Sequence, residues 1–97
     1  MKGTALMKFL TDGEYSFEEG ALSLHAEHEL RRYTVVIDRE VFEKRYNATA
    51  SGDFHEYWGL LMDNKAELER LAENKHDAID ARPGTSITLA PSDLQDA

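Results

Sequence analysis

Hydrophobic and polar residues alternate in the stretch ALSLHAEH, where Leu22, Leu24 and Ala26 fall on one side of the chain. Successive side chains of a β-strand point to opposite faces, so this two-residue period predicts a strand from Ala21 to about His28. The same alternation in YSF, residues 15–17, predicts a preceding strand. The intervening Glu-Glu-Gly is typical of a turn, so the two strands are expected to form a hairpin.

The pattern continues beyond a predicted turn at residues 29–30. Tyr33, Val35 and Ile37 again alternate with polar neighbours, which predicts a third antiparallel strand with its apolar side on the same face. A short strand is also predicted within residues 5–10, before Thr-Asp-Gly breaks it.

Helical periodicity replaces the alternation after Asp38, whose carboxylate is placed to cap the first turn of a helix. Apolar positions recur at helical spacing from Val41 to Tyr46. A second helix is predicted to begin at Asp53, with Glu56 in the capping-box position. Its apolar positions follow a period near 3.6 residues and include Phe54, Tyr57, Trp58, Leu61, Leu68, Leu71, Ala72 and Ile79.

The second helix could run unbroken to about Ala81, which is long for a domain of this size. We therefore expect a bend near Gly59 or fraying after Ala72. Residues 86–90 alternate again and predict a last strand. The order β-β-β-α-α-β indicates a two-layer α+β fold, an antiparallel sheet of about four strands with two helices on one face. Residues 1–97 are expected to form one domain, with residues 1–6 and 91–97 flexible.

Composition excludes several classes of function. The chain has 97 residues, 11 basic and 19 acidic side chains and no cysteine. The net charge of −8 disfavours binding to nucleic acid and to anionic membranes. Without cysteine there are no disulfides, and a zinc site would need histidines and carboxylates. The stretch MKGTALMKFLTDG has neither the apolar core nor the cleavage site of a signal peptide, and no run of about 20 apolar residues is present to span a bilayer, so a cytoplasmic location is expected.

The charge is unevenly distributed along the chain. Residues 31–45 carry five basic and three acidic side chains, a local net charge of +2 within an acidic molecule. These arginines either pair with carboxylates of the domain itself or form an anion or partner site.

The sequence predicts no metal, cofactor or catalytic site. His25 and His28 are three residues apart on a predicted strand, so they point to opposite faces and do not chelate as a pair. His55 and Glu56 begin like the HExxH zinc motif, but Gly59 occupies the position of the second histidine. In the loop DGEYSFEEGALS, Phe17 stands where a calcium loop requires glycine, and Ser23 stands where it requires the bidentate glutamate. There is no GxSxG elbow and no glycine-rich phosphate loop.

The order of four segments carries a resemblance to a known family. FLTDGEYSFEEGALSLHA, YTVVIDREVFEKRY, DNKAELERLAENK and SITLAPSDL, within residues 7 to about 94, resemble the small bacterial domain-of-unknown-function family 1488. Lys65 stands where the family leads us to expect an arginine. The resemblance implies a compact α+β protein of the bacterial cytoplasm and carries no site residues over.

Three hypotheses of function follow. The first is an accessory domain, not an enzyme, that binds another protein or itself as a homodimer. Its contact would use the charged residues of the basic segment and an aromatic stripe whose helical spacing is more typical of core packing. The predicted contact residues are Tyr57, Trp58, Leu61, Arg31, Arg32, Arg39 and Arg45.

The second hypothesis is a protein that binds a small ligand or a metal through His25, His28, His55 or His76. The third is a nucleic-acid regulator that depends on the basic segment alone. A duplex mobility assay at low salt without a shift would exclude the third, because added salt only weakens phosphate contacts.

Overall fold

A computed structural model describes residues 7–18, 21–49, 52–82 and 84–94 and has the expected α+β class. Its strands are β1 (Lys8–Phe9), β2 (Tyr15–Glu18), β3 (Ala21–His28), β4 (Arg31–Ile37) and β5 (Ser86–Leu89). Its helices are α1 (Arg39–Tyr46), α2 (Phe54–Asp63) and α3 (Lys65–Ile79), followed by a 3-10 helix at Pro91–Leu94. None of the described helices is long and apolar enough to cross a membrane.

The two predicted hairpins are confirmed. Strand β3 pairs antiparallel with β2, where Phe17 lies opposite Leu22, and with β4, where Leu24 lies opposite Val35. Strand β1 pairs with the same edge of β3 as β2, closer to the β3–β4 turn. The sheet order is β1-β3-β4-β5, with β2 joined to β3.

The last strand corrects the prediction of an antiparallel sheet. Strand β5 pairs with β4 in parallel, so that Val35 lies opposite Ile87 and Ile37 opposite Leu89. The helices between β4 and β5 carry the chain over one face of the sheet and back to the end where β4 begins. A strand that follows such a crossover runs parallel to its neighbour.

The predicted long second helix is divided into α2 and α3, and the break is at Asn64, not near Gly59. Asn64 has φ −120° and ψ 25°, and its side-chain amide donates to the Leu60 carbonyl oxygen at 2.9 Å. Asparagine favours such local bonds to the backbone over helix continuation. The order among the described elements is therefore β-β-β-β-α-α-α-β, in which β1 is the short strand predicted within residues 5–10 and the division of the long helix adds one helix.

The two predicted helix caps differ in detail. Asp38 is the N-cap residue of α1, but its side chain makes no capping hydrogen bond. Asp53 caps α2 as predicted, because its Oδ1 accepts from the Glu56 backbone N–H at 3.1 Å. The Glu56 carboxylate reaches back to the Thr49 N–H at 2.7 Å instead of closing a capping box with Asp53.

One core lies between the inner face of the sheet and the helices. Its strand residues come from every second position, as the alternation predicted, and its helix residues come from all three helices. The core consists of Met7, Phe9, Leu22, Leu24, Ala26, Tyr33, Val35, Ile37, Val41, Phe42, Tyr57, Leu61, Leu68, Leu71, Ala72, Ile87 and Leu89. On the other face of the sheet, the side chains of the described strands β3, β4 and β5 are half-buried or exposed.

Part of the carboxyl-terminal segment predicted to be flexible has regular structure. Pro91–Leu94 form a 3-10 helix, and Lys75 of α3 binds the Asp93 carboxylate with Nζ–O distances of 3.0 and 3.1 Å. Residues 1–6 and 95–97, for which flexibility was also predicted, lie outside the described residues.

Candidate interaction surface

Three aromatic side chains meet at the boundary between β2 and α2. The Tyr15 ring stacks on the Phe54 ring, with centroids 4.9 Å apart and planes at 11°. The Trp58 ring lies 5.2 Å from Tyr15 and 5.4 Å from Phe54. Tyr15 is 53% exposed, whereas Phe54 and Trp58 are half-buried. The cluster therefore presents aromatic area to solvent that could take part in binding.

Helical spacing extends this cluster along α2. Phe54, Trp58 and Met62 are each four residues apart, which places them on one side of the helix. Met62 is 45% exposed. We call Tyr15, Phe54, Trp58 and Met62 the aromatic surface.

Two of the predicted contact residues, Tyr57 and Leu61, lie on the adjacent, core-facing side of α2. Both side chains are fully buried in the core. The Tyr57 ring packs on Phe42 at 4.9 Å, and its hydroxyl donates to the Thr49 carbonyl oxygen at 3.0 Å. Burial, and secondly the Glu43 carboxylate, raise the pKa of Tyr57. Tyr57 and Leu61 are therefore core residues and do not belong to the aromatic surface.

The segments that carry the aromatic surface are acidic. Residues 11–18 contain three carboxylates and residues 52–64 contain three more, and neither segment contains a lysine or an arginine. Within these segments the apolar rings are thus accompanied by negative charge alone. Such an arrangement favours a partner that carries both apolar and cationic groups.

The predicted contact arginines are not brought together in one patch. Arg31 and Arg32 begin β4 and are exposed, whereas Arg39 follows its other end, about 20 Å away at 3.3 Å per residue. Arg39 pairs with Glu43 one turn along α1, at 3.4 Å from Nε to Oε2. Arg45 pairs with Glu67, as described next.

Arg45, Tyr46 and Glu67 form a network that joins α1 to α3. Arg45 donates to Glu67 Oε2, and the Tyr46 hydroxyl donates to Glu67 Oε1 at 2.7 Å. The bonds from Arg45 and then from Tyr46 lower the pKa of Glu67. Burial, and secondly the bond to Glu67, raise the pKa of Tyr46. Arg45 therefore has a structural partner within the chain, which the sequence analysis had left as one of two alternatives.

The histidines are divided over three places. His28 is 6% exposed, and its ring lies 4.6 Å from that of His76. His76 Nδ1 lies 2.9 Å from the Asp77 carboxylate and Nε2 lies 3.1 Å from the Tyr33 hydroxyl. Since a carboxylate only accepts, Nδ1 donates, and Nε2 of the neutral ring accepts from the tyrosine. The two histidines thus belong to the contact between α3 and the sheet.

His25 lies on the open face of the sheet, as the alternation predicted, and His55 is exposed on α2. His25 lines a cavity of about 210 Å³ together with Glu14, Ser16, Ser23 and Thr34. The His25 Nε2 is 3.9 Å from Glu14 Oε1, and its buried Nδ1 has no partner among the described residues. Within the part of the chain that the structure describes, no three potential metal ligands come together.

The predicted contact residues do not include Tyr15, Phe54 and Met62, which the structure places on the aromatic surface. The four-residue spacing of Phe54, Trp58 and Met62 was a usable signal, but it overlaps the buried spacing of Tyr57 and Leu61. Tyr15 alternates with Phe17 toward the inner face, and the alternation alone gives no reason to expect that it remains exposed. Its exposure follows from the position of β2, which pairs on one side only among the described strands.

Comparisons with protein-family models, with curated proteins and with solved structures gave no match to this chain.

Proposed function

We propose that this protein is a small bacterial cytoplasmic accessory domain, related to the family it resembles, that acts by binding another protein or itself. The observation that supports the proposal is the partly exposed aromatic surface. Tyrosine and tryptophan are enriched at the energetic centres of protein interfaces, because they contribute large contact area at a low cost in conformational entropy. The proposed contact is centred on Trp58 and extends over Tyr15, Phe54 and Met62.

The acidic surroundings support the same kind of function. Glu14 is next to Tyr15 in the sequence and its side chain is 93% exposed. Charged groups at the rim of an apolar patch orient a partner and increase the rate of association. The predicted contact thus keeps an aromatic centre, but its own charge is negative and not positive as the sequence suggested.

The proposal is tested by affinity capture of the tagged protein from native cell extract at moderate salt, with mass spectrometry of the retained proteins. A partner retained in stoichiometric amount is expected to be lost with Tyr15→Ser and with Trp58→Ala. Ile79→Ser is the matched control, because Ile79 is 46% exposed on α3, away from the aromatic surface.

Thermal unfolding of each variant separates lost binding from lost folding. Tyr15→Ser is expected to keep the native midpoint within a few degrees, because the side chain is half-exposed. If Trp58→Ala unfolds the domain, the Tyr15→Ser variant alone tests whether the partner binds the aromatic surface. Retention of the partner by a folded Tyr15→Ser protein would contradict the proposed surface.

A second candidate function is the binding of a small ligand in the cavity beside His25. Glu14 is the one carboxylate among the residues that line this cavity, and no lysine or arginine is among them. The Ser16 and Ser23 hydroxyl oxygens lie 2.8 Å apart and the Thr34 side chain adds a third hydroxyl. This lining favours a small cation with hydrogen-bond donors, such as an amine or a guanidine.

Thermal shift with free arginine, small amines, zinc, nickel, nucleotides and phosphate tests this candidate. A ligand selective for the native state raises the unfolding midpoint. The expected result is a rise with arginine or amines that His25→Ala and Glu14→Gln both abolish. Unchanged midpoints throughout the panel would contradict it.

A further inference from the structure

The turn between β3 and β4 has a conformation that its residues do not favour. Glu29 and Leu30 form a two-residue hairpin loop between the paired residues His28 and Arg31. Both have positive φ, 56° for Glu29 and 67° for Leu30. Two consecutive residues at positive φ are typical of a type I′ turn, in which asparagine and glycine are preferred. A leucine in the left-handed region is strained.

Leu30 is also the most exposed of the large hydrophobic residues in the described chain, at 92%. An apolar side chain at the tip of a hairpin gains nothing from folding when it stays in water. The backbone conformation of Leu30 therefore opposes stability, and burial of its side chain does not offset that cost. Local rules broken in this manner are characteristic of functional sites.

Two cationic side chains accompany Leu30. Arg31 and Arg32 are exposed, and no ion pair joins either of them to another residue of the described ranges. Together with Glu29 they give the tip a net charge of +1. The hairpin tip, residues 29–32, is therefore an apolar group beside guanidinium groups, which is the combination that the acidic aromatic surface favours.

We propose that the hairpin tip of one molecule docks on the aromatic surface of a second copy of the chain. This inference rests on the proposed function, because it names the occupant of that surface. Leu30 packs against the Tyr15 and Met62 side chains, and the guanidinium groups stack on the rings and pair with the neighbouring carboxylates. Tip and surface are different patches, so the contact is head-to-tail.

The net charge of −8 does not prevent this contact. At physiological salt the Debye length is about 8 Å, so charges elsewhere on the molecule are largely screened. The electrostatic energy of the contact is therefore set by the groups that meet at close range. These are guanidinium groups of the tip and carboxylates beside the aromatic surface, which are of opposite sign. The contact is accordingly expected to weaken as salt is added.

Sedimentation of the purified protein from micromolar to millimolar concentration tests the inference. The weight-average mass is expected to rise with concentration and to rise less at high salt. A mass that stays at that of the monomer over the whole range would overturn the inference.

Leu30→Gly is the decisive variant, since it removes the apolar tip and also supplies the residue that the turn prefers. It is expected to raise the unfolding midpoint and to weaken self-association about tenfold or more, as loss of an interface centre does. Ile79→Ser is the control and should associate as the wild type does. Unchanged association of Leu30→Gly would overturn the inference.

A mixing experiment identifies the two patches. Leu30→Gly keeps the aromatic surface, and the double variant Tyr15→Ser, Met62→Ser keeps the tip. Each alone should be monomeric, and their mixture should form a one-to-one complex without larger species. Failure of the mixture to associate would show that tip and surface do not bind each other, and would overturn the inference.

The proposed function can survive such a failure. A monomeric wild type whose captured partner is lost with Tyr15→Ser retains the interaction surface with another protein as its occupant. A wild-type protein that neither self-associates nor captures a partner would contradict both the proposed interaction surface and the proposed docking of the hairpin tip.

Discussion

Gly52 occupies a position where the folded chain leaves no room for a side chain. Gly52 precedes the α2 cap, and a Cβ atom built there would lie 2.9 Å from Tyr57 Cε1 and would also overlap the Glu56 carboxylate. Tyr57 is fully buried, and Glu56 is held by the Thr49 N–H, so neither moves freely. The sequence shows only a glycine before an aspartate at this point. The close approach that requires it is a property of the folded state.

Gly52→Ala is therefore expected to lower the free energy of unfolding by about 1 to 3 kcal/mol, as overpacking of a filled site does. Urea denaturation measures the change. The partner experiment is Gly52→Ala combined with Glu56→Ala, which removes one of the two overlaps and should recover part of the loss. A Gly52→Ala protein as stable as the wild type would contradict this packing.

At the level of elements, helix α2 contributes one side to the core and another side to the aromatic surface. Its buried side holds Tyr57 and Leu61 in the core, and the adjacent side carries Phe54, Trp58 and Met62. Gly59 lies on the exposed part of the helix, and a Cβ atom there would meet nothing within 4 Å. This glycine adds flexibility without a packing role in the isolated chain.

Gly59→Ala is expected to raise the free energy of unfolding by about 0.5 to 1 kcal/mol, because alanine loses less backbone entropy in a helix. Urea denaturation measures the free energy of unfolding of both glycine variants. The change is expected to be positive for Gly59→Ala and negative for Gly52→Ala. A Gly59→Ala protein less stable than the wild type would show that the site of the added Cβ atom is not open.

The contact between α1 and α3 depends on the charge of one carboxylate. Hydrogen bonds from Arg45 and Tyr46 lower the pKa of Glu67 from its ordinary value of 4.5. A carboxyl group with a lowered folded-state pKa stabilises the fold above its unfolded pKa. This contribution is lost as the pH falls below about 4.5 and through the folded-state pKa.

Glu67→Gln is therefore expected to be less stable than the wild type at neutral pH, and the difference should narrow below pH 4.5. Unfolding free energies of both proteins across this range measure it. The Glu67 side chain is 27% exposed, so solvent screens its ion pair in part and a modest effect is expected. A difference that stays constant in acid would show that Glu67 acts without its charge.

For the whole molecule, the parallel pairing of β4 and β5 closes the fold. Residues 86–89 are far from β4 in sequence, yet Ile87 and Leu89 are fully buried beside Val35 and Ile37. The chain between them contains all three helices. The core is therefore complete only when the last strand is added.

Ile87→Ala is expected to lower the free energy of unfolding by about 2 to 5 kcal/mol, the usual cost of emptying a buried aliphatic site. Thr88→Ala, at the exposed neighbouring position of the same strand, is the control and should change it little. Thermal or urea unfolding measures both. Equal effects would mean that β5 does not contribute to the core.

The sequence by itself determined the strands from Tyr15 to Ile37, their inward residues, the last strand and the α+β class. These depend on local periods, and a two-residue or 3.6-residue pattern is a property of neighbouring positions along the chain. The separate faces of His25 and His28 follow from the same reason. The Asp53 cap also belongs here, since a capping bond spans only a few residues.

Only the tertiary structure decided the rest. The parallel partner of β5, the contact between His28 and His76, and the pairing of Arg45 with Glu67 join residues far apart in sequence, for which a local pattern carries no information. The break at Asn64 competes with a helical signal on both sides of it. Tyr15 and Tyr57 are both tyrosines in alternating or helical stripes, and one is exposed while the other is buried. Which aromatic faces water is set by the elements packed around it.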